Sequence, residues 1–156
     1  MDGRARLLDA VNLRLLSQLQ DNPRLSMSEL GRRVGMSAPA VTERVQRLEA
    51  AGVIAGYRID IDPAALGMPV TALVRIRPGP GQLPRIAQLA QETAQVVECH
   101  RITGEDCFLL KIHGSSIGDL EGILDRFLLY GQTTSSIVVS TPVPARPLPL
   151  PPTASD

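Results

Sequence analysis

No tryptophan occurs in these 156 residues, and there are only two tyrosines and two phenylalanines. Single-stranded nucleic acid is held by stacking its bases on aromatic faces, and this chain has too few of them for such a platform. Lysine is nearly missing as well: Lys111 stands alone, and arginine supplies every other side-chain cation. Lysine plus arginine equals aspartate plus glutamate at 16 each, so no global basic field announces a nucleic-acid partner. No apolar run approaches the ~20 residues of a membrane-crossing helix. The opening MDGRARLLDA has no apolar signal core either, so the expectation is a cytoplasmic protein without membrane contact. Cys99 and Cys107 are then expected to be reduced. With His100 and His113 they suggest a metal site, but no C-x-x-C or H-x-x-x-H spacing is present and single cysteines in strands are usually core. We therefore expect no metal and no cofactor.

What is present is concentrated between Ser26 and Leu48. Ser26 and Glu29 have the S-x-x-E spacing of a capping box, in which each side chain satisfies an orphan backbone N–H at a helix start. Leu30 and Val34 fall four apart on one face, and Gly35 follows where a left-handed residue ends a helix. Ser37 is a second N-cap, after which Val41, Val45 and Leu48 recur at i, i+4, i+7. The spacing predicts two short helices joined by a tight glycine turn. At 100° per residue the side of the second helix opposite Val41 and Val45 carries Pro39, Thr42, Glu43, Gln46 and Arg47, with Ala40 and Arg44 towards its edges.

A helix-turn-helix of this design enters the DNA major groove with its second helix. Arg44 and Arg47 suit phosphate or guanine, Gln46 and Thr42 suit base edges, and Ser26 and Ser37 sit at helix starts that attract phosphate. From Arg24 to Arg47, five arginines face two glutamates, leaving three positive charges in excess on the candidate DNA face. The plainer alternative is a solvated helix face on which Glu43 and Arg47 merely pair at i, i+4.

The flanking chain supplies a scaffold. Leu8, Val11, Leu15, Leu16 and Leu19 form a helical stripe that starts near Asp9 and ends at Asp21-Asn22-Pro23, predicting a third helix behind the other two. Gly52 closes the second helix of the motif. Val53 to Ile61 then alternates Tyr57, Ile59 and Ile61 around Gly56, which predicts short strand pieces resembling a wing. Asp62-Pro63 breaks the pattern and marks a domain boundary.

Beyond it come a strand from Val70 to Ile76, the turn PGPG at Pro78 to Gly81, a helix from Leu83 to Gln95, and strands at Val96 to Ile102 and Cys107 to His113. A helix capped by Ser116 and Asp119 and a strand from Thr133 to Val139 complete the series. The order β-α-β-β-α-β is that of a ferredoxin-like unit, with four antiparallel strands and both helices on one face. Its bare face calls for a cover, most simply a second copy. Six prolines from Pro142 to Pro152 exclude a helix or central strand and predict an extended tail, frayed or lying along a neighbouring subunit. The expected class is α+β: a winged helix-turn-helix domain over 1–62, a βαββαβ regulatory domain over 63–141, and a proline-rich tail over 142–156.

With both halves in place, the chain resembles the Lrp/AsnC family of transcription regulators from Leu8 to Val139. The family opening appears as Leu8, Asp9 and Asn12, the last replacing an acid. The helix-turn-helix signature appears as Leu30, Gly35, Ser37, Val41, Arg44, Val45 and Arg47-Leu48-Glu49, then Gly52-Val53-Ile54. Asp62-Pro63 and Leu66-Gly67 match the exit into the regulatory domain. The resemblance implies a homodimer paired through the sheet, assembly to tetramers or octamers, double-stranded DNA as partner, and an amino acid or related small molecule as effector. The family effector loop, T-G followed after two residues by Asp, corresponds here to Thr103, Gly104, Glu105, Asp106 and Cys107, with cysteine in place of the family acid. Free N–H groups beside Gly104 and the acids Glu105 and Asp106 suit an amino acid's two charges, and Gln132, Thr133 and Thr134 add further polar groups. The expected function is therefore a sequence-specific, homo-oligomeric DNA-binding transcription regulator modulated by a small metabolite, with two alternatives: an architectural DNA-compacting protein of low specificity, and a regulator with no small-molecule ligand. An enzyme built on the βαββαβ half lacks any nucleophile, base and orienting residue that the sequence groups together.

Overall fold

The computed structural model describes residues 7–152. Two compact units emerge, one taking in the chain up to Ile59 together with the segment from Val143 onward, the other spanning Asp60–Pro142. Among the described residues no helix is long and apolar enough to cross a membrane.

The first unit is built from three helices, α1 (Ala10–Asp21), α2 (Met27–Val34) and α3 (Ala38–Ala50). Each starts where its cap predicts. Asp9 accepts the Asn12 N–H at 2.7 Å, Ser26 the Glu29 N–H at 3.2 Å, and Ser37 the Ala40 N–H at 3.4 Å. The reciprocal half of the Ser26–Glu29 capping box does not form, because the Glu29 carboxylate is taken by the Arg32 and Arg33 guanidinium groups. Gly35 adopts φ +73°, letting the Met36 N–H reach back to the Gly31 carbonyl, and Gly52 at φ +68° does the same for Val53 and Leu48. Leu15 and Leu19 of α1, Leu30 and Val34 of α2, and Val41 and Val45 of α3 pack into one cluster. Burying each such side chain stabilises the unit by about 1.5–3 kcal/mol.

The strand pieces expected between Val53 and Ile61 do not form: after the turn at 51–54 the chain runs irregularly to Asp62. Alternation of Tyr57, Ile59 and Ile61 satisfies the periodicity of a strand, but a strand also needs a neighbour to take its N–H and C=O groups. All three side chains are exposed. The C-terminal segment is extended, as its prolines require, yet it is not a free end: the Gln20 side-chain amide donates to the Leu148 carbonyl at 3.2 Å.

In the second unit Asp62 caps a short turn of 3-10 helix at Pro63–Leu66. There follow β1 (Val70–Pro78), α4 (Leu83–Glu92), β2 (Val96–Arg101), β3 (Phe108–Gly114), α5 (Ile117–Leu128) and β4 (Gly131–Ile137). The sheet is antiparallel with order β2-β3-β1-β4. Alternate residues Ala72, Val74 and Ile76 of β1 and Phe108, Leu110 and Ile112 of β3 pack with Ile86 and Leu89 of α4 and Ile123 and Phe127 of α5. The intervening residues, among them Leu73, Arg75 and Lys111, form the opposite face, on which the chain lays no helix.

Two boundaries differ from expectation. The helix predicted to Gln95 ends at Glu92, because the Thr93 hydroxyl donates to the Leu89 carbonyl and Thr93 itself turns extended. The last strand lies at Gly131–Ile137, two residues early, because Gly131 pairs with Pro78, where its missing Cβ lets the Arg77 carbonyl approach.

Candidate nucleic-acid interface and effector cluster

Val41, Val45 and Leu48 are at most 2% exposed, which fixes the rotation of α3 about its axis. Pro39, Glu43, Gln46 and Arg47 consequently face solvent, with Ser26 and Ser37 exposed at the starts of α2 and α3 and Ala40 half-buried. Among the described residues Gln46 makes no side-chain hydrogen bond, so its amide is free to offer a donor and an acceptor together. Arg47 lies 2.5 Å from Glu43 with both side chains about two-thirds exposed, a pair worth little in water and readily exchanged for a phosphate or a base. Thr42 is half-buried and donates its hydroxyl proton to the Ala38 carbonyl at 2.9 Å, leaving its oxygen as an acceptor and its methyl as an apolar contact.

Arg44 does not face outward with these residues. Its Nη1 sits 2.7 Å from the Asp9 carboxylate and 3.1 Å from the Asn12 side-chain oxygen, while the Asn12 amide donates to the Leu7 carbonyl at 2.7 Å. Burial pushes the Asp9 carboxyl up, but the Asn12 N–H and the Arg44 guanidinium outweigh it and hold the group below its ordinary range. Asp9 adds one acid to those counted in the sequence, so the arginine excess of this stretch falls from three to two. Glu29 serves both Arg32 and Arg33, which lower its pKa to about 2.

In the second unit the loop between β2 and β3 is closed by the Ile102 N–H on the Cys107 carbonyl at 2.9 Å, with Gly104 at φ +104°. Thr103, Gly104 and Glu105 are exposed, and Asp106 and Cys107 half-buried. Cys107 precedes β3 rather than opening it, and its thiol turns back on the Gly104 and Glu105 carbonyls, both at 3.7 Å. Arg77 pairs with Glu105, and Arg75 and Arg77 reach Asp106 at 3.8 and 3.7 Å. In the ladder, Arg75 stands opposite Thr134 and Arg77 opposite Gln132. Two stretches distant in sequence, 103–107 and 132–134, thus meet through two arginines that sequence reasoning did not single out. Alternation in VTALVRIR, with Val74 and Ile76 buried, was the signal that puts both on the open face. Thr133 is the exception: it stands opposite buried Ile76 and so lies on the helix-covered side, away from Gln132 and Thr134.

Cys99, expected in the core, is exposed on the edge strand β2. Among the described residues no three His, Cys, Asp or Glu side chains gather as a metal site.

Comparison with known proteins matches residues 8–55 to a winged helix-turn-helix DNA-binding domain and residues 71–148 to the Lrp/AsnC ligand binding domain. The chain belongs to the Lrp/AsnC family. It is 35% identical over 133 residues to the HTH-type transcriptional regulator LrpC of Bacillus subtilis, covering 85% of this chain and 92% of that protein. The solved structure of LrpC superposes with a TM-score of 0.82 at 34% identity, covering 86% and 96% of the two chains. A second Lrp/AsnC-like structure, the transcriptional regulator NMB0573 of Neisseria meningitidis in complex with L-Met, gives 0.84 at 26% identity and covers 91% and 96%. This Lrp/AsnC chain is accordingly a DNA-binding transcriptional regulator with a C-terminal ligand-binding domain.

Proposed function

We propose that the chain reads a specific double-stranded DNA site as a homo-oligomer in the cytoplasm, with α3 in the major groove, and that a small amino-acid-like metabolite at the β2–β3 loop adjusts this binding. The observation that carries the reading is the sidedness of α3. One side is locked into the core by Val41, Val45 and Leu48, and the other offers Gln46, Arg47 and Glu43 to solvent. Gln46 suits adenine and Arg47 guanine or phosphate, with Ser37 and Ser26 at helix starts against the backbone. The two arginines of α3 are each paired with an acid, Arg44 with Asp9 and Arg47 with Glu43, so the reading helix itself carries little uncompensated positive charge for non-specific attraction. That favours a specific reader over a DNA-compacting protein.

The sheet face on which the chain lays no helix supports pairing through a second copy, and two or four such dimers would assemble into a tetramer or an octamer. Residues 1–62 then serve as the reading part, 63–141 as the regulatory part and 142–156 as an appendage, with no catalytic role for any of them. In the regulatory part Arg75 and Arg77 suit a ligand carboxylate, Glu105 and Asp106 an ammonium group, and Thr103, Gly104, Gln132 and Thr134 the remaining polar contacts. A regulator without a ligand keeps some support, because Cys107 replaces the family acid and the neighbouring acids are already paired with arginine.

The deciding experiment selects bound genomic fragments with and without a panel of amino acids while recording particle mass. Enrichment of a defined sequence is expected, together with a change in mass or enrichment for one amino acid. Uniform recovery of random fragments would overturn specific reading, and indifference to every amino acid would overturn the effector.

A further inference from the structure

The chain after β4 returns to the helix-turn-helix unit. Pro147 forms one wall of a groove of about 330 Å³ whose other walls include Leu16 and Leu19 of α1, Pro23, Ile54 and Tyr57. One step further on, the Leu148 carbonyl accepts from the Gln20 amide, and Leu150 is half-buried. We propose that residues 143–150 are a strap that clamps the end of α1 to segment 53–58, so that the DNA-reading unit is complete only when the C-terminal segment is seated.

Three properties of the sequence suit this use. Pro144, Pro147 and Pro149 fix φ, so the strap loses little conformational freedom on docking. They also remove backbone donors while leaving carbonyls to accept, which matches the donor that Gln20 presents. Val53, Ile54, Ala55, Gly56 and Tyr57, for their part, line the groove that Pro147 closes on one side. The topological consequence is that the regulatory unit is an insertion. It joins the DNA-reading unit covalently at both of its ends, near Ile59 and near Pro142, rather than by a single tether.

Hydrogen exchange of the full chain, compared with a chain ending at Pro142 and with Gln20→Ala, tests the strap. Exchange at Leu16–Gln20 and at 53–58 is expected to quicken about tenfold in the shortened chain and about threefold in Gln20→Ala. The sheet unit should exchange as before. A synthetic peptide of residues 143–152 added to the shortened chain should restore the slow rates. Gln20→Ala keeps every residue of the strap, so it reports even if the shortened chain folds poorly. Identical exchange at α1 and 53–58 in the full chain and in both variants would overturn the proposal.

Discussion

Arg44, on the helix proposed to read DNA, turns its guanidinium away from the reading face and onto the Asp9 carboxylate at the start of α1, 2.7 Å away. It acts as a brace between two helices. Arg44→Ala should therefore lower the stability of the helix-turn-helix by about 1 kcal/mol, since the pair is partly exposed and screened. Asp9→Asn should have a similar but smaller effect. Urea unfolding followed by circular dichroism distinguishes this outcome from a purely DNA-contacting arginine, whose removal leaves the unfolding midpoint unchanged.

Arg47 gives the complementary result. Among the described residues its side chain pairs only with the exposed Glu43, so Arg47→Ala should leave stability within about 0.5 kcal/mol of the parent. DNA affinity should fall by about 1–3 kcal/mol with lost preference at one base pair. If the contact is to phosphate, the loss is uniform across sequences and the dependence of log K on log salt becomes shallower by about one unit. Fluorescence anisotropy at several salt concentrations reads both, and an unchanged isotherm would remove Arg47 from the interface.

Two glycines of the motif should respond differently to alanine. A methyl group at Gly31 would stand 2.4 Å from the Met36 carbonyl oxygen, so the turn into α3 must shift, at a cost of about 2–3 kcal/mol. At Gly35 nothing lies within 4 Å of the added carbon, and only the φ of +73° is unfavourable. Gly35→Ala should cost about 1 kcal/mol. Equal melting temperatures for the two variants would contradict the close approach at Gly31.

His113 makes the sheet unit sensitive to acid. Burial, and after it the Lys111 charge, favours the neutral ring, and Glu98 opposes them only in part, so the folded pKa lies below the ordinary 6.5. The unfolded chain then takes up a proton at higher pH than the folded one. Stability from this group is complete above about pH 6.5 and is lost as pH falls through that value towards the depressed folded pKa. Thr71 Oγ1 shares a hydrogen bond of 2.9 Å with Nδ1 of the ring. The melting temperature should drop from about pH 7.5 to about pH 5.5, and His113→Gln should reduce that drop. An equal drop in both proteins would assign the acid sensitivity elsewhere.

The helix-turn-helix was legible in the sequence because its signals are local. Ser26, Gly35, Ser37 and Gly52 act on backbone groups within a turn of themselves, and Val41, Val45 and Leu48 need only helical periodicity to mark a buried side. The βαββαβ order was legible for the same reason. The unit matches a winged helix-turn-helix, as expected, but the strand pieces over Val53–Ile61 do not form, because Tyr57, Ile59 and Ile61 carry the right alternation while pairing is not a local property.

Alone, then, the sequence determined where each helix of the reading unit starts and stops, which face of α3 is buried, and the order of strands and helices in the regulatory unit. Only the tertiary structure decided that Arg44 pairs with Asp9 at the start of α1, that Arg75 and Arg77 bring together the two stretches of the candidate effector cluster while Thr133 lies on the other side of the sheet, and that the tail closes on Gln20. Each of these is a contact between residues at least 28 apart in the chain, or a side of a strand set by register with its neighbour. Periodicity and capping constrain a residue's own element, whereas such contacts depend on how elements pack.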